Sequence, residues 1–115
     1  MRQCGYRLID GEQRNAEHPG SFWIPPLCAR LKVAVGDIVK VGFETMTDRQ
    51  AKREGFGGER LWVKVTGVGD SGEFVGEIDN EPLLSRLYLG QKVKFQRRHV
   101  IDIFVPEKLA AQAVH

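Results

Sequence analysis

No apolar run in this 115-residue chain is longer than a few residues, which excludes a membrane-spanning helix. The first ten residues, Met1 to Asp10, also lack a long apolar stretch, so no secretory leader is expected. Cysteine is scarce. Cys4 and Cys28 are the only two, and neither stands in a metal-binding spacing. Their separation in sequence does not supply the Cα distance a disulfide requires. The expectation is a cytoplasmic protein with free thiols. Excess charge is missing too. The formal net charge is +2, and the basic residues are spread along the chain apart from Arg97, Arg98 and His99. Without clustering, charge alone implies neither a nucleic acid nor a membrane as partner. The small basic cluster reads as a solvated strand entry before it reads as a phosphate site.

Catalytic motifs are equally absent. There is no GxSxG, HExxH, P-loop or dinucleotide fingerprint. Of the three histidines, His115 ends the chain and His18 precedes Pro19 in a polar stretch. His99 and Asp102 are three residues apart, which on a strand puts them on opposite faces. Cys28 lies in the apolar run Pro26-Leu27-Cys28-Ala29 and reads as a small buried residue rather than a nucleophile. Glu77 and Asp79 share a strand face, but two carboxylates are too few for a calcium or magnesium site. No enzyme activity, cofactor or metal is expected.

What is present describes one domain. Hydrophobic residues are 42% and charged residues 28%, both ordinary for a folded globular protein. Residues 1–16 read as an irregular polar arm, with a turn at Asp10-Gly11 and room for a short strand at Tyr6–Ile9. Residues 17–105 form the β-rich domain, and 106–115 a tail in which Pro106 suits the start of a short helix. In Ser21-Phe22-Trp23-Ile24-Pro25-Pro26 the two prolines force an extended backbone, and the large side chains suit packing on a core. Val39, Val41 and Phe43 alternate with Lys40, Gly42 and Glu44, the period of a half-buried strand. A glycine-polar turn precedes that strand at Gly36-Asp37. The same form recurs at Gly90-Gln91 before Val93 and Phe95. Residues 45–58 are polar and glycine-rich, and read equally as a short helix capped by Asp48 or as a loop.

The clearest signal is a hairpin. Leu61, Val63 and Val65 alternate on one face, Gly67 to Gly72 suit the turn, and Phe74, Gly76 and Ile78 return inward. Gly76 in mid-strand implies a bulge or sharp bend. Two registers keep both apolar sets inward, with either Trp62 or Lys64 opposite Glu77. Short antiparallel strands at this spacing, without long intervening helices, give a mainly β (β-rich α+β) fold. It is a single strongly bent antiparallel sheet or small open barrel with a central hairpin.

This pattern turns Trp62 outward between Arg60 and Lys64. Either the chain's own Phe22, Trp23 and Pro25 cover the indole, or it serves as a contact surface. The loop Asp79-Asn80-Glu81-Pro82 falls at the same end of the hairpin as Arg60. The candidate binding residues are therefore Arg60, Trp62, Lys64, Asp79, Asn80 and Glu81.

Four motifs carry a family resemblance: Gly58-Glu59-Arg60-Leu61-Trp62-Val63-Lys64-Val65, Gly76-Glu77-Ile78-Asp79-Asn80-Glu81-Pro82, Leu89-Gly90-Gln91-Lys92-Val93 and His99-Val100-Ile101-Asp102. In this order they resemble the bacterial domain-of-unknown-function family numbered 2314. His18-Pro19, Phe22, Ile24-Pro25 and the block Val35 to Lys40 resemble its longer members, so the likeness spans roughly residues 17–105. It implies a small β-rich bacterial domain with no established activity, distantly similar to immunity-type domains that bind toxins. The basic, glycine-rich 45–58 segment departs from the pattern. The leading expectation is a non-enzymatic module that binds an unidentified protein, in a regulatory or toxin-neutralising role. The second is a small barrel for single-stranded nucleic acid, resting on Lys32, Lys40, Lys64, Lys92, Lys94, Arg97, Arg98 and Trp62. An enzyme comes third and needs Cys28 and His99 to meet.

Overall fold

The glycine-polar turns foreseen in the sequence start two of the six strands, and each is built the same way. Gly36 and Gly90 have φ of 97° and 86°, the left-handed region that side chains with a Cβ disfavour. The next residue then ties the turn. Asp37 Oδ2 accepts the Ala34 N–H at 2.9 Å, and Gln91 Oε1 accepts the Tyr88 N–H at 3.0 Å. Each polar residue thus replaces a strand hydrogen bond lost where the chain reverses.

The computed structural model describes residues 7–44, 58–82 and 87–105. Its elements run β1 (Arg7–Leu8), α1 (Gly11–Glu17), α2 (Leu27–Leu31), β2 (Ile38–Glu44), β3 (Gly58–Val68), β4 (Glu73–Ile78), β5 (Lys92–Gln96), a 3-10 turn (Arg97–His99) and β6 (Val100–Ile103). One antiparallel sheet runs in the order β1-β2-β3-β4-β5, and β6 returns to pair with β2. The sheet is mainly β, nearly closed and barrel-shaped, as the alternation predicts. β2 is the hub: β3 lies along one edge, while β1 and β6 share the other.

The core is the inward face of this barrel. Val39, Val41, Phe43, Leu61, Val63, Val65, Phe74, Ile78, Val93, Phe95 and Val100 are all buried in one cluster. Phe74 and Phe95 stack at 5.2 Å across the β4–β5 pair. The hairpin takes the register that sets Lys64 opposite Glu77. Gly76 meets the bend expected of it. A Cβ there would stand 2.6 Å from both the Lys64 carbonyl oxygen and Val63 Cγ1. Next to it the register shifts between Val65 and Gly67, leaving Thr66 as an extra residue that sharpens the curve. A second shift sets Val100 opposite Val41 but Asp102 opposite Lys40. Val100 therefore joins the core and Asp102 shares the outer row with Lys40.

Three readings need correction. The segment read as an irregular arm holds α1, because Asp10 caps a helix rather than making an isolated turn. Its side chain accepts the Gln13 N–H at 3.0 Å. Leu27–Leu31 form α2, where the sequence reading placed no element. That helix leaves Cys28 exposed, not buried, and free of a disulfide. The inward-facing residue of α2 is Arg30, which is buried. Cys4, residues 45–57 and the tail helix after Pro106 lie outside the described residues.

Candidate functional site

The outward indole of Trp62 sits in a row built by strand pairing. Lys40 lies directly across on β2, and Asp102 lies across from Lys40 on β6. Lys40 Nζ stands 4.6 Å from the Trp62 ring centroid, a cation–π contact. Phe104 follows β6 and is held by its N–H to the Ile38 carbonyl at 2.9 Å. Its ring meets Trp62 edge to face, with centroids 5.9 Å apart and an angle of 75°. Trp62 is half-buried as a result. Of the two possibilities the sequence left open, cover by Phe22, Trp23 and Pro25 or an exposed contact surface, neither holds in full: the ring packed on Trp62 is Phe104.

Trp62 is also fixed from its backbone. β4 ends at Ile78, so the Trp62 N–H has no strand partner beyond it. Asn80 Oδ1 accepts that N–H at 2.7 Å, and Asp79 donates its N–H to the Trp62 carbonyl at 2.8 Å. Among the candidate loop residues, Asn80 is the one whose side chain reaches the site. The side chains of Asp79 and Glu81 are exposed and line none of the groove. Lys64 is exposed and paired across the hairpin with Glu77. Arg60 turns toward Phe22, its guanidinium 5.1 Å from that ring.

Opposite Trp62 rises the segment that the sequence offered as one possible cover for it. Trp23 keeps 65% of its surface exposed, and Pro25 is buried. Arg30 anchors this wall. Its Nε donates to the Pro25 carbonyl at 2.9 Å, and its Nη1 pairs with Glu12 of α1. Between the walls lies a groove of about 650 Å³, floored by Trp62, Ile103 and Phe104 and walled by Trp23, Pro25 and Pro26. Asp37, Asp102 and Lys32 also line it. A smaller recess of about 230 Å³ continues past Trp23, lined by Phe22, Lys40, Arg60 and Asp102.

Of the candidate residues read from the sequence, the structure brings Trp62 and Asn80 into contact and sets Arg60 on the adjoining recess, while Lys64, Asp79 and Glu81 are exposed outside it. The opposite wall was not read as a wall. Trp23, Phe104 and Lys40 complete the site. A signal existed for one of them, because the extended Phe22–Pro26 stretch had to pack against some outward surface. Phe104 carried no such signal, since it reads as one more residue of the last strand.

The chemistry open to this arrangement is contact, through aromatic faces, proline and a few charges. Among the described residues no group of three His, Cys, Asp or Glu side chains could hold a metal, and no helix is long and apolar enough to cross a membrane. His99 closes the 3-10 turn, where its Nδ1 accepts the Gln96 N–H at 2.9 Å. Burial, then the neighbouring Arg98, hold its pKa below the ordinary imidazole value, against the pull of Asp10 and Glu12. Asp10 is shifted downward as well. Burial would raise it, but the Gln13 N–H and the Arg98 guanidinium outweigh that. No hydrogen bond joins His99 to Cys28 or to Asp102. Compared with known proteins, the chain matches no family model, no curated protein and no solved structure.

Proposed function

We propose that the protein is a binding module that docks a segment of a partner protein in the groove between Trp23 and Trp62. The supporting observation is the aromatic corner formed by Trp62 and Phe104, faced across open space by an exposed Trp23. Aromatic residues ringed by less apolar ones are the composition of energetic centres in protein interfaces. The walls are also pre-formed, since Arg30, Asn80 and the Phe104 N–H each fix one of them. That lowers the ordering cost of binding. The motif resemblance read in the sequence, to a bacterial family distantly similar to toxin-binding domains, would extend this reading to a regulatory or neutralising role.

Single-stranded nucleic acid is the weaker reading. A base stacks on an open ring face, whereas Lys40 lies over Trp62 and Arg60 over Phe22. The test is a photo-crosslinking amino acid placed at position 105, an exposed residue lining the same groove, in the native cell. The expected result is a discrete protein adduct that Trp62→Ala abolishes while circular dichroism stays native. Adducts to nucleic acid alone, or to a smear of proteins unaffected by Trp62→Ala, would refute the proposal.

A further inference from the structure

We infer that the occupant of the groove is a peptide segment with aliphatic or aromatic side chains beside an acidic residue, the acid seated at Lys40 and Arg60. This inference rests on the docking reading above and names its partner chemistry.

The charge around the site is unevenly spent. Arg7 and Arg14 pair with Glu44, Arg30 with Glu12, and Arg98 with Asp10. Lys40 and Arg60 have no carboxylate within 4 Å among the described residues, and each instead lies over an aromatic ring. A cation parked on a ring keeps its capacity to pair with an anion that arrives beside it. Both cations line the recess beyond Trp23, where Asp102 is the single carboxylate. One of Asp102's oxygens is already taken by the Ile103 N–H at 2.8 Å. The recess therefore keeps an excess positive charge.

The main groove differs. Its lining is mostly apolar, with Asp37, Asp102 and Lys32 as its charged members. A polyanion running the length of the site would pass both carboxylates. A peptide with one acidic residue matches the recess, where two cations face one carboxylate, and offers apolar side chains to the groove, where Lys32 faces two carboxylates. Charge complementarity thus favours a peptide over a nucleic-acid strand.

The test uses the full chain as bait for a displayed library of random twelve-residue peptides. Selection is repeated on Trp23→Ala and on the double variant Lys40→Gln/Arg60→Gln. The expected outcome is a set of binders that need Trp23, carry Asp or Glu next to Leu, Ile, Phe or Trp, and lose about tenfold in affinity on the double variant, as two exposed charge pairs allow. Their affinity should also fall with added salt. Binders that need Trp23 but are neutral or basic, or that ignore the double variant, overturn the acidic-segment inference and leave the docking reading standing. If no Trp23-dependent binder emerges, both fall. Retention of oligo(dT) that depends on Lys40 and Arg60 would overturn both in favour of nucleic acid, and Trp23-dependent self-association in place of peptide binding would make the occupant a second copy.

Discussion

Replacing Gly76 by alanine should destabilise the barrel, whereas the same change at Gly67 on the opposing strand should not. At Gly76 the new Cβ would lie 2.6 Å from the Lys64 carbonyl oxygen and 3.3 Å from the Lys64 carbonyl carbon. Those are backbone atoms, so no rotamer change relieves the overlap and the two strands must separate. Overpacking of this kind costs about 1–3 kcal/mol. The gain from a less flexible unfolded chain is only about 0.4–1 kcal/mol, so the net sign is destabilising. At Gly67 the nearest atom is Val75 Cβ at 3.8 Å, an ordinary contact, and its φ is not positive. Only the unfolded-state gain remains, so Gly67→Ala should be neutral or slightly stabilising. Urea unfolding followed by tryptophan fluorescence separates the two. With a urea slope of roughly 1–3 kcal/mol/M, Gly76→Ala should lower the midpoint by about 0.5–2 M. Equal midpoints for the two variants would refute the claim that close strand approach at Gly76 sets the bend.

Asn80→Ala leaves the Trp62 N–H without its acceptor and should cost about 1–2 kcal/mol. It should also alter the near-ultraviolet dichroism of the indole, while Asn80→Asp keeps the acceptor and the spectrum. Arg30→Ala strands the buried Pro25 carbonyl, which should cost about 1–3 kcal/mol and make Trp23 more accessible to acrylamide quenching. Stability should fall on acidification. His99 titrates lower in the folded protein than its ordinary value near 6.5, so the unfolded chain binds more protons just below that pH. The contribution is full above about pH 6.5 and is lost as pH drops through the folded pKa. Urea midpoints measured from pH 7.5 to 5 should show this slope, and His99→Gln should flatten it.

Much of the barrel was readable because period-two alternation reports burial directly. Val39, Val41 and Phe43, then Leu61, Val63 and Val65, occupy the interior as their spacing requires. The glycine-polar turns were readable for a similar reason, since local chemistry dictates them. The two helices were not. α1 depends on an Asp10 cap that also suits a plain turn, and α2 spans five residues, too few for a 3.6-residue period to show. The site was half readable. Alternation points Trp62 outward, but which ring would lie beside it depends on β6 returning to β2, a pairing that no local pattern encodes. Cys28 was misplaced for the same reason. An apolar neighbourhood in sequence became an exposed face once Arg30 took the inward position.

The two neighbours of β2 also bear on how the molecule assembles. β3 follows β2 in the chain, but β6 returns from beyond the whole meander, with Val41 meeting Val100. Closure therefore waits on a distant segment, and such non-local pairings slow folding because a large loop must close before they form. Phe104 arrives with that last strand. The Trp62–Phe104 corner therefore cannot form before the far strand has paired with β2.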